Sequence, residues 1–155
     1  MQRYFLLENA ELNQRFFLHN NEDIHHIKNV MRMTVDDEII ITFNDQKSMI
    51  CKIIDFHEQN IEVLTLEDTT RQTELPVEIS IASGLIKGDK YEWMIQKATE
   101  MGAHHFIAVQ SERSVVKLDH KKQSKKIDRW QKIIKEASEQ SMRLTIPDIR
   151  YMSNF

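Results

Sequence analysis

At 155 residues, 41% hydrophobic and 29% charged, the sequence has the bulk of one ordinary domain or two small ones and an average globular composition, which excludes a disordered tail, a collagen-like rod and a membrane-spanning bundle. Apolar runs are only a few residues long, as in Ile39-Ile40-Ile41, far short of the ~20 that a bilayer span needs, and Glu8 arrives before a signal-peptide core can form. The net charge of −3 hides a split: residues 1–75 hold 7 basic and 14 acidic side chains, and residues 76–155 hold 14 and 10.

The single cysteine, Cys51, has no partner for an internal disulfide, and with no secretion signal this points to a reducing cytosol. Glycine is scarce, with three in the chain against an average of about 7%. Gly84, Gly88 and Gly102 fit neither GxGxxG nor GxxxxGK[ST]. A Rossmann or P-loop site, which needs backbone in close approach to phosphate, is therefore not expected.

In chain order, Arg3–Leu7 and Arg15–Leu18 are short β-type runs. Asn21 is placed to cap a helix whose first turn holds Glu22 and Asp23, where carboxylates suit the dipole. Ile24, Ile27 and Met31 follow at helical spacing, beside a basic stripe of His25, Lys28 and Arg32. Glu38–Phe43, Ser48–Phe56 and Asn60–Leu66 read as strands, separated by polar turns such as Asn44-Asp45-Gln46-Lys47. In the last, Ile61, Val63 and Thr65 alternate with Glu62, Leu64 and Leu66. Several strands with one helix predict a small β-barrel over residues 1–71.

The polar stretch Asp68–Leu75, followed by Pro76, marks a boundary. Beyond it Val77–Ser83 reads as a strand. Asp89 with Glu92 forms a capping box for a helix with Tyr91, Met94, Ile95, Ala98 and Met101 on its apolar face and Gly102 as terminator. Phe106–Val109 is a second strand, and about Lys121–Met142 is a long helix with Ile127, Trp130, Ile134, Ala137 and Ser141 on one face. Pro147 prevents continuation, and Ile149–Met152 begins a third strand. The order βαβαβ over 75–155 predicts a parallel α/β sheet with right-handed crossovers, making the whole chain α+β. Three strands are few for a doubly wound domain, so either a fragment or a partner-covered sheet is expected.

Residues 113–135 carry nine basic and two acidic side chains. Two readings stay open: a solvated helix face, or a strip that binds polyanions through counterion release. In open parallel sheets ligands lie beyond the carboxyl ends of the strands. Ser83–Lys90 and Gln110–Ser114 lie there, so Lys87, Lys90 and Arg113 are expected to face one volume, with Ser111 and Glu112 beside them. That is an anion pocket or, more plainly, two polar loops with solvated charges. Glu139 and Arg143, at i and i+4, are expected to form a helix ion pair at the opposite sheet edge. A metal site is not expected. The pairs His25-His26 and His104-His105 point their rings apart, HExxH is absent, and Cys51 lacks a CxxC partner. No GxSxG elbow supports a hydrolase. Met31, Met94, Met101 and Met142 are most simply core.

Six linked motifs, in order through nearly the whole chain, resemble one family. They are Arg3-Tyr4-Phe5; the run from His26 to Met33 (H-x3-V-[LM]-R-[ML]); Lys87-Gly88-Asp89-Lys90 with Ile95 to Gly102 (K-G-x-K … Q-K-x-x-E-[LM]-G); Ser111-Glu112-Arg113-Ser114; Trp130-Gln131-Lys132-Ile133 with Glu136-Ala137; and Glu139-Gln140-Ser141-Met142-Arg143. The chain is similar to the RsmE-type 16S rRNA (uracil-N3)-methyltransferases. The resemblance implies an N-terminal PUA-like barrel (1–71) that binds RNA. It also implies the first half of a SPOUT methyltransferase domain (75–155), with S-adenosyl-L-methionine as donor. A homodimer in the cytoplasm, with no membrane partner, would methylate one uridine of 16S ribosomal RNA in the small ribosomal subunit during ribosome biogenesis. Arg113 carries over as the catalytic candidate. Lys87, Lys90, Arg113, Glu139, Gln140 and Arg143 carry over as RNA-binding residues of the second part, and Arg3, His26 and Arg32 as those of the barrel. The family's glycine-rich donor segments, a GPEGG-like loop and an LG-x-R-[IVL]-LR-T-E-T run, do not occur here. The donor pocket and knot are accordingly expected outside these residues, with this chain inactive alone. The alternative is a non-catalytic RNA-binding module.

Overall fold

β-branched and aromatic residues that alternate with polar ones build five strands: β1 Arg3–Leu6, β2 Arg15–Leu18, β3 Glu38–Phe43, β4 Ser48–Phe56 and β5 Ile61–Asp68. The computed structural model describes residues 1–114 and 117–153, and the chain divides into two units, Met1–Gln72 and Thr73–Phe155.

In the first unit the strand order is β1-β3-β4-β5-β2. β1 runs parallel to β3 and the other pairings are antiparallel. The inward residues of all five strands, from Tyr4 and Phe16 to Ile41, Ile53 and Val63, meet in one buried cluster, so the sheet curls around them. β1 and β2 are its two edges, which makes it a half-barrel rather than a closed one. Two register shifts, at Ile50/Cys51 and Ile53/Asp55, bend β4, as bulges do. Cys51 lies inside, and burial pushes its thiol up to about 12, which leaves it unreactive at neutral pH.

The helix over 21–31 differs from its sequence reading in two ways. Its cap is Asn20 rather than Asn21, with the Asn20 side chain accepting from the N–H groups of Glu22 and Asp23. The α-helical part, α1, covers Asn21–His25, and a π-helical turn follows over His26–Val30. The wider turn breaks the α-helical spacing. Ile27 is buried, but Met31 points to solvent and Arg32 leaves the helix with φ 52°.

In the second unit, β6 Ser80–Gly84, α2 Lys90–Glu100, β7 His105–Gln110, α3 His120–Gln140 and β8 Asp148–Ser153 follow in sequence. The three strands are parallel in the order β6-β7-β8. Both helices cover one face, where Phe106, Ala108 and Ile149 meet Tyr91, Ile95, Trp130 and Ile134. β6 starts at Ser80, three residues after Val77, because Val77 is 59% exposed and finds no partner strand. The capping box at α2 does not form. Asp89 makes no side-chain cap bond, and Glu92 instead accepts from Arg129 of α3. Of the methionines expected in the core, Met94 packs partly inside, whereas Met31, Met101 and Met142 are exposed. Helical spacing marks a face but does not say whether another element covers it.

Candidate nucleic-acid interface

Parallel pairing fixes which loops share an edge. Gly84 at the end of β6 stands beside Val109 of β7, and the Leu85 N–H donates to the Val109 carbonyl at 3.2 Å. The loops after β6 and β7 therefore start side by side, as their sequence positions predict. Gly88, at φ 78°, turns the first loop into α2, with Lys87 and Lys90 exposed on either side of it. The second loop is a turn closed by the Ser114 N–H on the Ser111 carbonyl (3.0 Å) and by the Ser111 N–H on Ser114 Oγ (2.8 Å). Arg113 sits at its tip, exposed. The expected pocket companions lie in the same turn, Ser111 half-buried and Glu112 exposed.

Two residues that the sequence reading passed over hold this edge in place. The Gln110 side-chain oxygen accepts from the Leu118 N–H at 3.0 Å and from the Tyr151 hydroxyl of β8. Burial raises the Tyr151 phenol above its ordinary range, so it remains a donor at neutral pH. A polar residue at a strand end and an aromatic in the neighbouring strand were the only sequence signals for this pair.

α3 begins at the same edge, capped by Asp119, whose side chain accepts from the Lys122 N–H at 2.8 Å. Its first turns expose Lys121, Lys122, Lys125 and Lys126. Together with Lys87, Lys90 and Arg113, these cations lie within ion-pairing distance of no carboxylate among the described residues. Further along α3 the charges are matched: Arg129 binds Glu92 and Lys135 binds Glu139 at 2.9 Å.

The other end of α3 does different work. Arg143 is 3% exposed and does not pair with Glu139 as its spacing predicts. Its guanidinium binds Glu74 through Nη2 (2.6 Å) and Nε (3.3 Å) and donates to the carbonyls of Thr99 and Ala103. This knot joins the chain just before β6, β7 and β8, at the edge opposite Lys87 and Arg113. Buried and fully engaged, Arg143 holds the fold and is not free to contact RNA. Gln140 is exposed beside a hollow of about 300 Å³ between α2 and α3, lined also by Trp93, Gln96 and Ile133.

In the first unit, His26 is engaged as well: its Nδ1 lies 2.9 Å from the hydroxyl of buried Tyr4, which fixes the π-helical turn to the sheet. Arg32 is exposed after that turn, and Arg3 is half-buried on β1. The rings of His104 and His105 take different partners: His104 faces Glu74, and His105 faces Asp148 and Glu78. One grouping that linear spacing did not reveal is Asp55, His57 and Glu62, whose ligand atoms lie within 4.8 Å of one another. The bulge at Ile53/Asp55 brings them together. Glu62 already receives Arg15 Nη1 at 2.8 Å and stands 3.0 Å from His57 Nε2, so the cluster is internally matched.

The RNA methyltransferase domain profile matches residues 73–155, and the RNA methyltransferase PUA domain profile matches residues 20–66. The chain belongs to the RNA methyltransferase family. Ribosomal RNA small subunit methyltransferase E of Bacillus subtilis (strain 168) is 46% identical over 157 residues, covering 100% of this chain and 61% of the relative. The protein of the same name from Buchnera aphidicola subsp. Acyrthosiphon pisum is 30% identical, covering 98% and 60%. This member of the family thus spans about three-fifths of the length of those curated relatives. Among solved structures, a ribosomal RNA small subunit methyltransferase E from Neisseria gonorrhoeae, bound to S-adenosyl methionine, superposes with a TM-score of 0.88 at 28% identity, covering 99% of this chain and 63% of that one. A putative methyltransferase from Legionella pneumophila in complex with the same cofactor gives 0.87 at 27%, covering 97% and 62%.

Proposed function

We propose that this chain is the RNA-recognising portion of an enzyme that methylates N3 of one uridine in the 16S RNA of the small ribosomal subunit, with S-adenosyl-L-methionine as donor. The names of the relatives support the substrate, and the Neisseria and Legionella complexes support the donor. The observation that carries the reading is the row of unmatched cations where β6, β7 and α3 meet, in a chain that matches both a methyltransferase and a PUA profile. A non-catalytic RNA-binding module would use the same cations but does not account for the methyltransferase match over 73–155. The same reading has the protein act in the cytoplasm during ribosome biogenesis, as a homodimer of the SPOUT type whose knot lies outside these residues. Among the described residues no helix is long and apolar enough to cross a membrane.

N3 lies on the pairing edge of uracil, so the base must be unpaired or flipped out. Lys87, Lys90 and the basic start of α3 hold the flanking phosphates. Arg113, at the tip of its turn, stabilises the negative charge that spreads to O2 and O4 as N3 loses its proton. Glu139 and Gln140 lie at the far end of α3 and meet the RNA only if it wraps past that helix. Arg3 and Arg32 serve the first unit, and His26 positions the turn that carries Arg32.

The described residues do not fit the donor itself. S-adenosylmethionine carries a sulfonium cation, and this edge is ringed with cations.

The test is titration of a fluorescent 16S rRNA hairpin against the chain at several salt concentrations. Arg113→Glu is expected to weaken binding several-fold and to reduce the salt slope by about 1. Unchanged affinity and slope would remove Arg113 from the interface.

A further inference from the structure

The carboxamide of Gln110 is held by its oxygen and left open at its nitrogen. Gln110 ends β7, one residue before the turn that carries Arg113. Its side chain meets two groups, the Leu118 N–H at 3.0 Å and the Tyr151 hydroxyl of β8. A backbone N–H can only donate, so the atom beside Leu118 is the carbonyl oxygen Oε1. Turning the amide over would set its NH2 group against that N–H and leave both without a partner there.

The anchors are themselves fixed. The Leu118 carbonyl accepts from Gln123 Nε2 of α3 at 2.9 Å, and the Leu118 side chain packs against the core of the second unit. Tyr151 stands opposite Ala108 in the sheet and packs against the same core. β7, β8 and α3 together thus set one orientation of one amide.

The consequence falls on Nε2. Gln110 is half-buried, and its two N–H donors have no acceptor among the described residues and are not sealed from solvent. A glutamine without such anchors turns over and offers donor or acceptor alike. Gln110 offers a donor, at the carboxyl end of a parallel strand, where the ligands of such sheets lie. Uracil carries a carbonyl oxygen on each side of N3, and negative charge collects on both as N3 loses its proton. A donor already aimed stabilises that charge without the reorganisation that a mobile side chain must undergo.

We propose that Gln110 donates through Nε2 to a carbonyl oxygen of the target uracil, locked in the donating orientation by Tyr151 and Leu118. The inference rests on the uridine reading above and deepens it. It adds a neutral donor to the charged contact from Arg113, and it makes Tyr151 a positioning residue.

The test uses the 155-residue chain and a fluorescent oligouridylate, set beside the same oligomer built from 4-thiouridine or from 2-thiouridine. In each, one carbonyl oxygen becomes sulfur, a weaker acceptor. The parent chain is expected to bind one thio-oligomer about three- to tenfold more weakly than oligouridylate, and which one tells whether O4 or O2 is the acceptor. Gln110→Glu still accepts from Leu118 and Tyr151 but presents an acceptor in place of Nε2, so the difference is expected to vanish. Tyr151→Phe frees the amide to turn over and is expected to shrink the difference. The readout is a ratio of affinities, which a merely structural role would leave unchanged. A parent chain that binds all three oligomers alike, or a Gln110→Glu variant that keeps the difference, would overturn the contact and leave the cationic interface standing. An undiminished difference in Tyr151→Phe would overturn the lock. Failure of the parent to bind any of the three would overturn the uridine reading and the contact together.

Discussion

Glu74 gathers four N–H donors, two from the Arg143 guanidinium and two from the backbone at Leu144 (2.8 Å) and Thr145 (3.3 Å), with His104 Nε2 at 3.5 Å. Burial alone would raise its carboxyl pKa. The Arg143 guanidinium and the two backbone donors outweigh burial and hold it below the usual carboxylate range. Glu74→Gln is expected to cost about 3–5 kcal/mol, since it leaves Arg143 buried without its counter-charge. Chemical denaturation measures this. The pH dependence has a definite sign. A carboxyl whose folded pKa is depressed contributes its full stability above the unfolded value of about 4.3, and loses it as pH falls through the folded value. The parent protein should therefore lose stability on acidification more steeply than Glu74→Gln. The sequence offered Arg143 as a helix ion-pair partner for Glu139, four residues away. Its true partner is 69 residues away, a distance over which one-dimensional spacing carries no information.

Both long helices end in the same motif, by different means. After α2, the Ala103 N–H reaches the Ala98 carbonyl at 2.9 Å and the Gly102 N–H reaches Thr99 at 3.1 Å, with Gly102 at φ 107°. After α3, the Arg143 N–H reaches Ser138 at 3.0 Å and the Met142 N–H reaches Glu139 at 3.4 Å, with Met142 at φ 61°. Both are Schellman ends. The first was legible because glycine announces a left-handed residue. The second was hidden because a methionine occupies that position against its steric preference. Met142 is exposed and its carbonyl accepts from Thr73 Oγ1 at 2.8 Å, so the geometry is imposed from outside the helix. Met142→Gly is expected to stabilise the protein by about 1 kcal/mol, visible as a raised melting temperature. Met142→Ala, which keeps the Cβ, should not. At the start of α2 the error ran the other way: Asp89 and Glu92 have capping-box spacing, yet Glu92 is drawn off by Arg129 of the neighbouring helix, a tertiary competitor invisible in the local pattern.

At the scale of the molecule, the charge asymmetry of the sequence is translated into place. The excess cations of the second unit are not spread around it: toward the end of α3 they meet glutamates, and at its start, beside Lys87, Lys90 and Arg113, they do not. The topology of a parallel sheet explains this, since every helix begins where its preceding strand ends. The same edge argues against a site for the sulfonium donor among these residues. Calorimetric titration of the chain with S-adenosyl-L-methionine is expected to give no heat of binding in the micromolar range, and micromolar binding would overturn that assignment.

What the sequence determined by itself was the local and the periodic: five strands then βαβαβ, and the family motifs. Each depends on neighbours within a few residues, where alternation, helical spacing and turn chemistry act directly. Only the tertiary structure decided which charged groups are engaged and which are left free. Arg143 and His26, both carried by motifs, are bound to Glu74 and Tyr4, whereas Lys87 and Arg113, carried by motifs as well, are exposed and form no ion pair among the described residues. The physical reason is that an ion pair or a repulsion is settled by distance in space, and folding brings together residues whose separation along the chain says nothing about it.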